Sequence, residues 1–119
     1  MKINGFEDLI VWQKSQDLAI MIYNHFEGNK DFGFLNQITR ASVSISNNIA
    51  EGYDRNSTKE YIRFLKIALG STSEVRSMLY LSKRLNFISE ENFKNSLNLT
   101  TEISKMIRAI IKKLDSSLS

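Results

Sequence analysis

The sequence predicts an all-α fold, an antiparallel up-down bundle of four helices that forms a single domain over residues 1–119. Three observations favour this fold. Apolar residues recur at spacings of three and four, proline is absent from all 119 residues, and short polar or glycine-containing loops separate the periodic stretches. Strand-like alternation is not sustained anywhere. The predicted helices cover residues 8–26, 33–51, 58–84 and 90–114.

The first predicted helix has more apolar residues than one stripe needs. Steps of three, four and seven place the inner stripe on one face of the helix, and Gly28 in the following loop ends it. The inner stripe consists of Trp12, Ala19, Ile22, Tyr23 and Phe26. Three apolar residues lie outside it: Ile10, Leu18 and Met21. This surplus predicts burial against a second subunit.

The second predicted helix combines an apolar stripe with a polar band. Gly52 lies where a C-terminal glycine would end the helix. The apolar stripe is Phe34, Ile38, Ala41, Ile45 and Ile49. The polar band is Gln37, Arg40, Ser44, Asn47, Asn48 and Glu51. We expect its amides to bond backbone groups at the start of the third helix or in a neighbouring subunit. Glu51 has three candidate partners, Arg55, Arg63, or Arg40 of another chain.

The third and fourth helices begin at recognisable caps. Ser57 and Glu60 form a capping-box pattern, and Ser89 precedes two acidic residues that suit a helix N-terminus. The inner positions of the third helix are Tyr61, Leu65, Ala68, Thr72, Val75, Leu79 and Ser82. Those of the fourth are Phe93, Leu97, Ile103, Ile107, Ile110 and Leu114.

The composition argues against an enzyme. Cysteine is absent and His25 is the single histidine, so Cys-based metal sites are excluded and no Glu-x-x-His pair is present for a di-iron centre. No nucleophile, histidine or second carboxylate lies at a useful spacing from Glu51. We therefore expect no catalytic residue, metal or cofactor. Apolar runs are too short to cross a membrane, and without a leader pattern the expected location is the cytoplasm.

Positive charge is concentrated in the second half of the chain. The net charge is +3, and residues 57–87 hold six basic and two acidic residues. Basic residues form outward stripes on the third and fourth helices, which favour contact with nucleic-acid phosphates. The alternative is two ordinary solvated faces. The predicted phosphate contacts are Lys59, Arg63, Lys66, Arg84, Lys105, Arg108 and Lys112.

The same outer face of the third helix carries small residues. Gly70, Ser73 and Ser77 follow each other at steps of three and four, and a glycine inside a helix costs about 1 kcal/mol relative to alanine. A strip of small residues lets another backbone approach closely, so we predict a subunit contact here. Arg40, Asn48 and Glu51 are further candidates for polar contacts in an oligomer. A subunit on this strip would cover part of the basic stripe, so the two hypotheses compete.

Three segments together resemble a known protein family. They are Phe6-Glu7-Asp8-Leu9-x-x-Trp12-Gln13-Lys14, Gln37-x-x-Arg40-Ala41-x-x-Ser44-Ile45-x-x-Asn48-Ile49-Ala50-Glu51-Gly52, and Arg63-Phe64-Leu65-x-Ile67-Ala68-x-Gly70-Ser71-x-x-Glu74. In this order they are similar to the small four-helix-bundle proteins encoded by intervening sequences of bacterial 23S ribosomal RNA genes. The family in turn resembles the accessory variability protein of diversity-generating retroelements.

The resemblance implies a homo-oligomer, most simply a pentamer, and it supplies no catalytic residue. The related accessory protein is a pentamer that associates with a reverse transcriptase and nucleic acid. We therefore expect a non-enzymatic oligomer that binds ribosomal RNA or another nucleic acid through its basic outer faces, without strong sequence preference. The alternative is a protein-interaction scaffold, or accessory subunit, that binds no nucleic acid.

Overall fold

The structure, a computed structural model, describes residues 2–118. A short 3-10 helix, Phe6–Asp8, precedes four α-helices. Each α-helix packs against the next one along the chain, and the fourth packs against the first. The helices are α1 (Ile10–His25), α2 (Phe32–Asp54), α3 (Thr58–Arg84) and α4 (Glu90–Leu118). Residues 2–118 contain no strand. The predicted all-α four-helix bundle is confirmed.

The helix boundaries match the prediction best at α3, whose limits are those predicted. The helix α2 continues through Gly52 to Asp54, so the prediction that Gly52 ends it is wrong. Glycine is needed there for space. A Cβ at Gly52 would lie 2.5 Å from Cβ of Phe64. The left-handed residue of the α2–α3 turn is Asn56, with φ of 58°.

Side-chain caps fix three helix starts. The carboxylate of Asp31 accepts a hydrogen bond from the backbone N–H of Phe34 at 3.1 Å, and the Ser57 hydroxyl accepts one from Glu60 at 3.3 Å. Ser89 does the same for Asn92 at 3.1 Å. These contacts satisfy N–H groups that have no partner within the helix.

The buried faces, or seams, of α2 and α3 lie where the spacing predicts them. The buried face of α1 is rotated around the helix relative to the predicted one. Tyr23, predicted to be inner, is 56% exposed, and Trp12 is only half-buried against Phe6. Within α1 the buried residues are Val11, Ser15, Leu18 and Ile22. The apolar pattern did not predict this buried face, because Ser15 is one of its residues and serine is not counted as apolar.

Hydroxyl groups inside the bundle bond to their own helices. Ser15 donates to the carbonyl of Val11 at 2.7 Å, and Ser82 donates to that of Leu79 at 2.7 Å. Thr72 also lies within 3.0 Å of the Ser104 hydroxyl across the α3–α4 contact. Buried polar groups are tolerated when they are bonded in this way.

Polar side chains join α1 to α4. His25 Nδ1 lies 2.7 Å from Oγ of Ser96, and Lys14 pairs with Glu102 at 2.6 Å. Partial burial removes water from the imidazole and lowers the pKa of His25 below its ordinary value. His25 therefore favours the neutral form in the folded chain.

Over residues 2–118, every helix lacks the combination of length and apolarity that a bilayer crossing requires.

Alanine at two glycine positions should have opposite effects on stability. Alanine is favoured over glycine in a helix by about 1 kcal/mol, and Gly70 has open space where its Cβ would lie, so we expect Gly70→Ala to stabilise the chain by about that amount. Gly52→Ala should destabilise it, because forcing atoms into a packed contact costs about 1–3 kcal/mol. Urea unfolding at low protein concentration measures both. A Gly52→Ala variant as stable as Gly70→Ala would contradict the close α2–α3 contact.

The lowered pKa of His25 predicts a loss of stability in mild acid. As the pH falls through about 6.5, the unfolded chain takes up a proton on this histidine before the folded chain does. The free energy of unfolding should therefore decrease between pH 7.5 and pH 5.5. Part of that decrease should disappear in His25→Gln, whose side chain does not titrate. Identical pH dependence of urea midpoints in the two proteins would contradict the assignment.

Candidate nucleic-acid interface

Three of the predicted basic residues meet in one groove between α3 and α4. Lys66 from α3 faces Arg108 and Lys112 from α4 across a groove of about 490 Å³. Half-buried Leu69 and Ile111 supply its apolar lining. The antiparallel register brings together these residues, which lie more than 40 positions apart in the sequence. The groove, which we call the basic groove, is completed by Asp115 and Ser116.

The cations of the basic groove are not neutralised by neighbouring side chains. Among residues 2–118, the ion pairs involve other residues, and Lys66, Arg108 and Lys112 take part in none of them. Among the described residues, Asp115 contributes a carboxylate to the groove lining. The basic groove therefore carries a net positive charge beside an apolar surface, a combination suited to phosphate oxygens and to the faces of sugars or bases.

The other predicted phosphate contacts differ in their surroundings. Lys105 is exposed on α4, one turn before Arg108, and Lys59 is exposed at the start of α3. Arg84 lies at the opposite end of α3. The basic groove therefore holds three of the seven predicted residues, and Lys105 extends it along α4.

Arg63 is already occupied by contacts within its own helix. Its Nε and a terminal nitrogen donate to the two carboxylate oxygens of Glu60 at 2.9 and 3.2 Å, and its guanidinium lies 4.5 Å from the centre of the Phe64 ring. The bond to Arg63 lowers the pKa of Glu60, and the same bond raises the pKa of Arg63. Glu60 thus binds Arg63 instead of completing the predicted capping box. These contacts weaken the case for Arg63 as a phosphate contact.

Glu90 offsets part of the positive charge at the far end of the α3–α4 face. Glu90 pairs with Lys83 at 3.2 Å and approaches Lys94 at 4.0 Å. Lys83 also lies 4.7 Å from the centre of the Phe93 ring. The unpaired positive charge of this face is therefore greatest around the basic groove.

The polar band of α2 lines a second groove, between α2 and α3. Arg40, Gln37 and Ser44 meet Ser71 and Glu74 around a groove of about 480 Å³, which we call the polar groove. The Gln37 amide lies 3.4 Å from Oε2 of Glu74, and the Ser71 hydroxyl donates to Oγ of Ser44 at 3.0 Å. Ser71 and Glu74 come from α3, so the spacing within α2 alone did not reveal this groove.

Two predicted contacts of the polar band are resolved by the structure. Glu51 pairs with Arg55 at 3.1 Å, which is one of the three partners considered. Asn48 donates to the carbonyl of Ser44 at 2.8 Å and to its hydroxyl at 2.9 Å. Within the single chain Asn48 therefore bonds its own helix, which offers an acceptor one turn away, and not the start of α3. The alternative contact with a neighbouring subunit stays a prediction.

The surfaces predicted to contact a second subunit are exposed on α3 and only partly so on α1. Gly70, Ser73 and Ser77 lie on the outer side of α3, and Ile20 on α1 is 59% exposed. Ile20 and Tyr23 border a shallow groove between α1 and α2 that Val43 also lines. Of the predicted apolar surplus of α1, Ile10 is exposed, Met21 is half-buried and Leu18 is fully buried inside the bundle. Ile20 and Tyr23, which were not part of that prediction, are exposed as well.

Tyr61 lies half-buried near the start of α3. Burial raises the pKa of Tyr61 to about 12, with a smaller contribution from Tyr53, so its hydroxyl stays protonated at neutral pH. No cluster of three or more histidine, cysteine, aspartate or glutamate side chains within residues 2–118 is arranged to hold a metal ion.

Comparison with known proteins agrees with the fold. A crystal structure of a protein of unknown function from the S23 ribosomal protein family of Bacteroides thetaiotaomicron superimposes with a TM-score of 0.82 and 34% sequence identity, covering 87% of this chain and 99% of that one. A search of curated proteins finds no match. Residues 7–109 match the family of 23S rRNA-intervening sequence proteins, and the chain belongs to that family.

Proposed function

We propose that this protein is a non-enzymatic RNA-binding protein that holds the phosphates of structured RNA in the basic groove. The observation that carries the proposal is the convergence of Lys66, Arg108 and Lys112, without ion-pair partners in the described chain, on one groove. The family name refers to 23S rRNA, which makes ribosomal RNA the first probe to use. The proposed location is the cytoplasm.

Binding of this kind depends on phosphates more than on bases. Each lysine or arginine that contacts a phosphate releases a condensed counterion, so affinity falls as salt rises. Leu69 and Ile111 add apolar surface that excludes water from the contact. Such a surface selects RNA by shape and charge density and has little sequence preference.

The salt dependence of binding tests the proposal. We expect the affinity for 23S rRNA fragments to fall steeply with salt on a log–log plot. Lys66→Glu and Arg108→Glu should each weaken binding and reduce the slope by about one. Filter binding or fluorescence anisotropy across a range of salt concentrations measures both quantities.

The matched control is Lys30→Glu, which makes the same charge change in the exposed α1–α2 loop, outside the basic groove. This variant should bind almost as well as the wild type. Equal losses in Lys30→Glu and Lys66→Glu would reduce the effect to net charge and contradict a defined site. Failure of wild type to bind at low salt would contradict the whole proposal.

We also propose that the protein acts as a homo-oligomer, most simply a pentamer. Exposed Ile20 and Tyr23 and the open surface around Gly70 support subunit contacts. A ring would repeat the basic groove and multiply weak phosphate contacts.

The second candidate function is a protein-interaction scaffold, favoured by the apolar groove beside Tyr23. It requires partner binding without RNA affinity.

A bulky residue at position 70 should break the oligomer and leave the fold intact. Apart from the adjacent backbone of α3, no atom of residues 2–118 lies within 4 Å of the Cβ position of Gly70, so Gly70→Leu has room in the single chain. Between subunits the same side chain would separate the backbones. Light scattering should show a smaller mass with unchanged helicity, and Gly70→Ala should keep most of the assembly. An unchanged mass for Gly70→Leu would place the contact elsewhere.

A further inference from the structure

The polar groove carries both signs of charge on a floor of hydroxyl groups. Arg40 and Glu74 both line it, and neither takes part in an ion pair within the described residues. We propose that this groove binds a single unpaired RNA base and prefers guanine, with Glu74 and Arg40 reading the edge of the base. The inference deepens the proposed RNA binding by adding a base-specific site next to a phosphate-binding one.

The charge pattern argues against a second phosphate site. A phosphate beside Arg40 would also approach the carboxylate of Glu74, which repels it. A neutral base avoids that repulsion and still offers donors and acceptors. Carboxylate, guanidinium and amide groups are the side chains that read base edges, and unpaired RNA bases expose those edges.

Guanine matches these groups best among the four bases. Its N1–H and N2–H groups lie side by side, so a carboxylate such as that of Glu74 can accept from both. Its O6 and N7 are acceptors that suit a guanidinium. Adenine and cytosine present a ring-nitrogen acceptor beside their amino group, and uracil flanks its N–H with two carbonyls. Each of these bases can give the carboxylate one N–H, but in the two-bond arrangement its second carboxylate oxygen would face an acceptor of the base.

The walls of the polar groove are positioned by bonds that leave its charged groups available. The Gln37 amide is near one oxygen of Glu74, at 3.4 Å, a distance at which the bond is weak. Ser44 accepts from both Ser71 and Asn48, at 3.0 and 2.9 Å. These contacts fix the floor across the α2–α3 contact, so a base would meet a preformed surface.

The first experiment compares 12-nucleotide single strands, one all uridine and others with one central guanosine, adenosine or cytidine. Wild type should bind the guanosine strand about tenfold more tightly, as one well-made bidentate contact discriminates by about that factor. Glu74→Gln should lose this preference and keep the affinity for the all-uridine strand. Glu91→Gln removes an exposed carboxylate at the start of α4 and should keep the preference.

A second measurement separates this inference from the RNA-binding proposal. Titration calorimetry with the four nucleoside 5′-monophosphates should favour the guanine nucleotide about tenfold in wild type, and Glu74→Gln should abolish that difference. Lys66→Glu should lower the affinity for the all-uridine strand and for the guanosine strand by the same factor. Equal affinity for all four strands and all four nucleotides overturns the base site and leaves the phosphate site standing. If no strand binds, the phosphate proposal fails and the nucleotide titration alone decides the base site.

Discussion

Small side chains hold α2 close to α3, and the rest of the bundle is arranged around that contact. Gly52 lies where a Cβ would strike Phe64, and Ser44 and Ser71 are close enough for their hydroxyls to bond. The distance between two packed helices depends on the side chains at their contact. Because α3 also packs against α4, its position sets the geometry of both grooves.

Periodicity predicted the fold well where the buried seam is apolar and less well where the seam contains serine. The α2 stripe from Phe34 to Ile49 is buried throughout, and the α3 limits are those predicted. In α1 the true seam passes through Ser15, whose hydroxyl bonds its own helix. A rule that counts apolar residues does not identify a buried serine. The prediction for Gly52 is wrong for a different reason, because this position needs space beside Phe64 and not a left-handed backbone.

The sequence predicts which helix faces carry the basic residues, but it does not predict which of these residues meet in one groove. Heptad spacing placed Lys66 and Arg108 on outward faces, and both are exposed. Their meeting depends on the register of α3 against α4, which periodicity within one helix does not contain. The ion pair between Arg63 and Glu60 could have been predicted from the sequence, because oppositely charged residues three apart on a helix commonly pair. The place of Glu74 in the polar groove depends on the α2–α3 packing and could not be predicted from spacing.

The geometry of α3 also bears on the competition between the basic stripe and the strip of small residues. Lys66, Gly70 and Glu74 lie four residues apart, and each step of four turns the position by about 40° around a helix of 3.6 residues per turn. Lys66 therefore lies on the α4 side, Glu74 on the α2 side, and Gly70 between them, in agreement with the grooves they line. A subunit that packed on Gly70 would form a ridge between the two grooves and raise the wall of each. Assembly and RNA binding would then use adjoining parts of one helix, so that the oligomer shapes both binding surfaces and does not simply cover them.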